Sequence, residues 1–204
     1  MIGTHALKQR DQYLNKLIAF QDTETVKVVT GIRRCGKSSL LKLMAAHLRD
    51  SGVEAGQIIE MNFESYEFKS MNADAFYHYV KERIIPGKRA YLFFDELQRI
   101  SGWEDAVNSF RVDFDCDIYI TGSNAYLFSS EYSTYLSGRC VEIRMLPLSF
   151  REFLYFHGFA GCLTSKNREH YMIRLTRKNH GFCNGNAHEF AHVHWRSSPA
   201  AVKK

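Results

Sequence analysis

No run of eighteen apolar residues occurs anywhere in the chain, so no membrane-spanning helix is predicted. The opening stretch MIGTHALKQRDQYL has no apolar core of the kind a secretion signal needs. A cytoplasmic location with no membrane partner is therefore expected. Cysteine is scarce: there are five, an odd number at scattered positions, which argues against a disulfide framework and for a reducing compartment. Internal repeats are absent. The body of the chain also lacks an excess of either charge. Residues 1–157 carry 19 lysines and arginines against 20 acidic residues, whereas residues 158–204 carry 8 against 2. The net charge of +5 belongs to the tail, and the body makes no electrostatic case for nucleic acid. What remains is an ordinary globular composition, 45% hydrophobic and 24% charged over 204 residues. A chain of that length buries roughly 70% of its unfolded surface, enough for one full core.

Periodicity divides the chain into alternating elements. The first twenty residues predict a helix, with Leu7, Leu14, Leu17 and Ile18 on one face. VKVVTG (26–31) is a β-branched run that ends in glycine, hence a buried strand. From Lys37 to Arg49 an amphipathic helix is predicted, closed by Asp50-Ser51-Gly52. QIIEMNF (57–63) is a second strand, and Asn72 caps a helix expected to reach Ile85. AYLFFDEL (90–97) is the most apolar strand. Ser101 to Glu104 has capping-box spacing ahead of another helix. CDIYITGSN (116–124) and CVEIRML (140–146) are the fourth and fifth strands, separated by a helix over Ala125–Leu136. Ser149 to Glu152 repeats the capping-box spacing before FREFLYF. Strands alternating with helices predict an α/β fold, a parallel sheet covered on both faces. Periodicity fades after residue 157, which divides a core, 1–157, from a basic tail, 158–204; six of the nine histidines fall at residue 157 or later.

The chemistry begins at GIRRCGKSSLL (31–41). Gly31-x-x-x-x-Gly36-Lys37-Ser38 fits the P-loop spacing, and its context fits too: a strand runs in and an amphipathic helix runs out. The glycines permit backbone angles that other residues resist. Loop amides and the helix N-terminus then aim donors at phosphate. The cradle comprises Gly31, Ile32, Arg33, Arg34, Cys35, Gly36, Lys37, Ser38 and Ser39. Lys37 supplies a point charge to the β- and γ-phosphates, and the Ser38 hydroxyl can ligate Mg²⁺. Arg33 and Arg34 lean toward phosphate, toward a neighbouring subunit or into solvent, and Cys35 is either a redox handle or a small residue that the loop tolerates.

YLFFDE places Asp95 and Glu96 at the end of a strand apolar enough for both faces to be buried. Ligands collect at that edge of an open α/β sheet, so the strand end is expected beside the P-loop. Asp95 suits the metal, and Glu96 suits a water attacking the γ-phosphate. This pair favours hydrolysis of ATP. A guanine reader of the Asn-Lys-x-Asp kind is missing, because Asn15-Lys16 lies upstream and lacks the aspartate. YLSGR (135–139) superficially matches a transporter signature but follows the acidic strand instead of preceding it. Beyond YIT, Ser123 and Asn124 are candidates for holding the water or touching the γ-phosphate; a turn that caps the next helix is the other reading. Arg139, after a glycine, is either an arginine offered to a neighbouring subunit or a surface salt-bridge residue.

Four blocks, KVVTGIRRCGKSSLL, YLFFDELQRISGWE, IYITGSNAYLFSSEYSTYLSGR and VEIRMLPLSFREFL, resemble in order the ATPase core of a prokaryotic group within the AAA+ superfamily. That group consists of ATP-binding proteins with a C-terminal domain of unknown function. The resemblance runs from about Arg10 to about Phe156. It implies a three-layer P-loop NTPase fold with a five-stranded parallel sheet, and ATP with Mg²⁺ as ligands. It further implies Walker-type roles for Lys37, Ser38, Asp95 and Glu96, a sensor near Ser123 and Asn124, and a role in trans for Arg139. Members continue into a helical linker and a larger domain. Here that continuation gives way near residue 157 to the His-rich tail, so a truncated or frame-shifted chain is expected, with the tail loosely packed. Cys183, His188, His192 and His194 lack a standard zinc spacing. The expected activity is hydrolysis of MgATP, in a chain that can self-associate or meet a DNA or protein partner. The alternatives are a nucleotide-binding module without efficient turnover and a DNA-associated ATPase whose tail contacts phosphates.

Overall fold

The computed structural model describes residues 10–122 and 138–156, except for the side chains of Arg151 and Leu154. The chain divides into two compact units, Met1–Ser149 and Phe150–Lys204. The elements of the first are α1 (Asp11–Ala19), β1 (Val26–Gly31), α2 (Lys37–Asp50), β2 (Ile58–Asn62), α3 (Ala73–Lys81), β3 (Ala90–Asp95), α4 (Trp103–Asp113), β4 (Cys116–Thr121) and β5 (Cys140–Met145). Short 3₁₀ turns lie at Ala55–Gln57, Tyr66–Phe68 and Leu97–Arg99. Of the second unit, one helix is described, α5 (Phe150–Phe156).

The strands form one five-stranded sheet in the order β2-β3-β4-β1-β5, with every pairing parallel. This is the three-layer α/β arrangement of a P-loop NTPase. Position in the sheet explains strand composition. The interior strands β1 and β3 are buried along their whole length, while the edge strands β2 and β5 alternate with exposed residues. One sheet face packs on α3 and α4 through Val28, Leu92, Phe94, Phe76, Val107 and Phe110. The Phe76 ring meets Phe94 and Phe110 edge-on at 4.8 and 5.2 Å, the geometry that aromatic quadrupoles favour. The other face packs on α1 and α2 through Val29, Phe93, Tyr119, Leu17, Leu40 and Met44.

Several boundaries differ from those expected. Asn72 does cap α3, its side chain accepting from the Ala75 amide at 2.8 Å, but the helix ends at Lys81 and not at Ile85. Ser101 is not the cap of α4; Gly102, at φ 75°, takes the N-cap position with no side-chain bond. The glycine reaches that positive φ at little steric cost, and this outweighs a hydroxyl cap. The helix expected over residues 125–136 lies outside the described residues. Among the described residues no helix is long and apolar enough to cross a membrane.

A buried ion pair ties β1 to β4 at the end of the sheet remote from the P-loop. The Lys27 ammonium donates to Asp117 and to the Thr23 carbonyl, and both side chains are fully buried. The Tyr119 hydroxyl and the Asp22 amide donate to the same carboxylate, each at 2.8 Å. Burial pulls the Lys27 ammonium below its usual range, against the opposing pull of Asp117. Breaking one partner of such a pair strands the other charge, so the network holds the β1–β4 register.

Candidate functional site

The P-loop follows directly from β1. Gly31 has φ 149°, and a Cβ placed on it would lie 2.5 Å from the Met145 carbonyl oxygen and 2.7 Å from the Cys35 sulfur. Arg34 and Gly36 also have positive φ, at 66° and 101°, so the chain curls before α2 starts at Lys37. Successive curled residues of this kind turn amides inward to form an anion-binding concavity at the helix N-terminus. Cys35 points inward, buried under the loop among the α1–α2 core residues. Ile32, Arg33, Arg34 and Ser39 are exposed, and Ser38 is half-buried. Gly31→Ala is expected to cost about 3 kcal/mol or more, because the backbone carbonyl of Met145 cannot swing aside as a flexible side-chain tip can. Urea unfolding of the variant checks this.

Lys37 is buried, and its ammonium donates to the carbonyls of Gly31 and Ile32 at 3.3 and 3.5 Å. It also stands 3.8 Å from Glu96 Oε1. The lysine therefore links the loop to the acidic end of β3. Asp95 closes β3 and is buried; Glu96 follows in the left-handed region at φ 57°, ψ 44°. That turn sends the two adjacent carboxylates in different directions.

β3 does not adjoin β1 directly. β4 lies between them, yet the end of β3 comes beside the P-loop as expected, with Glu96 3.8 Å from Lys37. Thr121, the last residue of β4, closes the gap. Its hydroxyl donates to Asp95 Oδ1 at 2.5 Å and accepts from the Glu96 amide at 3.0 Å. Gln98 donates from Nε2 to Glu96 Oε2 at 2.5 Å and fixes the other carboxylate oxygen. Sequence reasoning missed both roles. For Thr121 the available signal was a hydroxyl at the last position of a buried strand; for Gln98 there was none.

Ser123 and Asn124 lie outside the described residues, as do Cys183, His188, His192 and His194. Arg139 is exposed and sits just before β5, where its carbonyl accepts from the amide of Val26 at the start of β1. The P-loop leaves the opposite end of β1. Six residues of strand separate the two, roughly 20 Å, so Arg139 does not reach the phosphate cradle of its own chain.

Among the described residues no three His, Cys, Asp or Glu side chains cluster as a metal cage. Mg²⁺ does not need one, since it is held by one or two protein oxygens with phosphates and water supplying the rest. A donor set of one carboxylate, Asp95, and one hydroxyl, Ser38, fits that ion.

The sequence matches the family model for the AAA domain over residues 23–154. It is 44% identical over 152 residues to an uncharacterized protein of Haemophilus influenzae, a match covering 74% of this chain and 38% of that protein. It is 34% identical over 135 residues to an uncharacterized protein of Methanocaldococcus jannaschii, covering 66% of this chain and 29% of the other. The chain thus spans well under half the length of either relative. Among solved structures, the ORC1 protein of Aeropyrum pernix in complex with DNA superposes with a TM-score of 0.51. That match has 13% identity and covers 74% of this chain and 49% of ORC1, a likeness of fold.

Proposed function

Because this chain belongs to the AAA+ family of P-loop ATPases, we propose that it binds ATP with Mg²⁺ and hydrolyses the γ-phosphate. The observation that carries the reading is the approach of Lys37 Nζ to Glu96 Oε1, 3.8 Å, at the mouth of the loop. A positive group for the phosphates and a base for the water thus meet at one point. The loop amides and the N-terminus of α2 receive the phosphates. Lys37 exchanges its two backbone carbonyls for phosphate oxygens, and the exchange frees Glu96. Glu96, held by Gln98, then takes the proton of the attacking water. Thr121 keeps Asp95 and the Glu96 backbone at fixed separation. Asp95 and Ser38 would hold Mg²⁺, which would supply charge neutralisation at the phosphates. Ser123 and Asn124 complete the set as γ-phosphate or water contacts.

Arg139 acts in trans in this reading, because its own cradle is a strand length away. An arginine supplied by a neighbour raises turnover by ~10³-fold or more. Phosphate release per chain should therefore climb with protein concentration, and Arg139→Ala should flatten that climb without changing ATP affinity. Mixing Arg139→Ala with Glu96→Gln should recover part of the activity, since each subunit supplies what the other lacks. Saturable ATP binding with no turnover at any concentration would make the chain a nucleotide-binding module. The DNA-associated reading would require salt-dependent DNA binding that is lost on removing residues 158–204.

A further inference from the structure

Arg10 is a buried arginine, 7% exposed, outside the P-loop and the acidic strand. Its Nη1 donates to the carbonyl of Cys35, inside the P-loop, at 3.2 Å, and to the carbonyl of Leu146, just after β5, at 2.8 Å. Nη2 reaches the Pro147 carbonyl at 3.4 Å. The guanidinium lies 4.5 Å from the centre of the Tyr13 ring. The Tyr13 hydroxyl accepts from the Leu146 amide at 3.1 Å, so Arg10 and Tyr13 together grip Leu146 by both its carbonyl and its amide.

We infer that Arg10 is a positioning residue for the nucleotide site: it locks the Cys35–Gly36 peptide in the orientation that phosphate binding needs. The inference rests on the nucleotide reading above. A trans peptide is planar, so its carbonyl and its N–H point in opposite directions. With the Cys35 carbonyl drawn back onto Arg10, the Gly36 N–H is directed away from Arg10. Gly36, at φ 101°, has the backbone freedom to let that peptide rotate. Without Arg10 the carbonyl has no compensation for its burial, and a flip would bring an oxygen toward the phosphates in place of a donor. Nη1 alone bridges the two segments, and Nη2 anchors the head on Pro147; a lysine ammonium is a single point donor without that second anchor.

The test is calorimetric titration of the full chain with MgADP and MgATP in Arg10→Gln, Arg10→Lys and Tyr13→Phe, beside wild type. Arg10→Gln should bind about tenfold or more weakly while keeping the wild-type far-ultraviolet circular dichroism. Should Arg10→Gln fail to fold, Arg10→Lys carries the test and should bind several-fold more weakly than wild type. Tyr13→Phe loses the Leu146 bond but leaves the Cys35 bond, so its melting temperature should fall and its affinity should hold. Wild-type affinity in a folded Arg10 variant overturns the inference alone. An equal loss in Tyr13→Phe overturns it as well, by making the effect one of general stability. Absence of binding by the wild-type chain removes the nucleotide reading and this one with it.

Discussion

Lys37→Ala is expected to lower MgATP affinity by about a hundredfold or more while leaving the fold in place. Removing one partner of a desolvated charge pair costs ~2–5 kcal/mol, and each ~1.4 kcal/mol is a factor of ten. Without ligand the same ammonium touches two loop carbonyls and one carboxylate, at 3.3 to 3.8 Å. Ile32 is exposed, so water can take over at least part of that role, and the unfolding free energy should change by no more than about 1 kcal/mol. Titration calorimetry paired with urea unfolding separates the two effects. Unchanged affinity in a folded variant would remove the phosphate-cradle assignment altogether.

Glu96→Gln should have the opposite profile: MgATP bound as in wild type or better, and turnover reduced by about 10²- to 10⁴-fold. The amide is nearly isosteric and can still accept from Gln98, so the left-handed turn at residue 96 survives. It can no longer take a proton, and its attraction for Lys37 falls. A lysine released from a carboxylate 3.8 Å away is freer to meet phosphate, which is why affinity should not drop. Single-turnover kinetics with radiolabelled ATP would show slow cleavage of a tightly held nucleotide. Wild-type cleavage in this variant would place the water-activating role at another residue.

The parts of this fold that a sequence displays are those with one-dimensional signatures. β1 and β3 are buried on both faces, so VKVVTG and AYLFFD stand out as apolar runs, and their C-terminal ends mark the site edge. Strand order has no such signature. The insertion of β4 between β1 and β3 depends on which helix covers which face, and Thr121 acquires its bridging role only through that order. Arg10 was equally opaque: nothing along the chain distinguishes an arginine that folds inward onto three carbonyls from one that faces water. Local chemistry also misled where backbone geometry outranked it. Ser101 has the right spacing to cap α4, yet the chain turns at Gly102 instead.

The strand order also governs when the site can come into being during synthesis. β1 is an early strand, but both of its partners, β4 and β5, are made late: Lys27 lies opposite Tyr119, and Val26 opposite Cys140. β2 and β3, by contrast, can pair as soon as both have left the ribosome. Until β4 is made the VKVVTG segment therefore has two unpaired edges, the condition in which apolar strands associate with the wrong neighbour. The phosphate loop hangs from that waiting strand, and its back wall, the Met145 carbonyl, arrives with β5. Nucleotide capture is consequently a late event in folding. On the proposed function, ATP would stabilise the sheet by mass action only once β5 is in place.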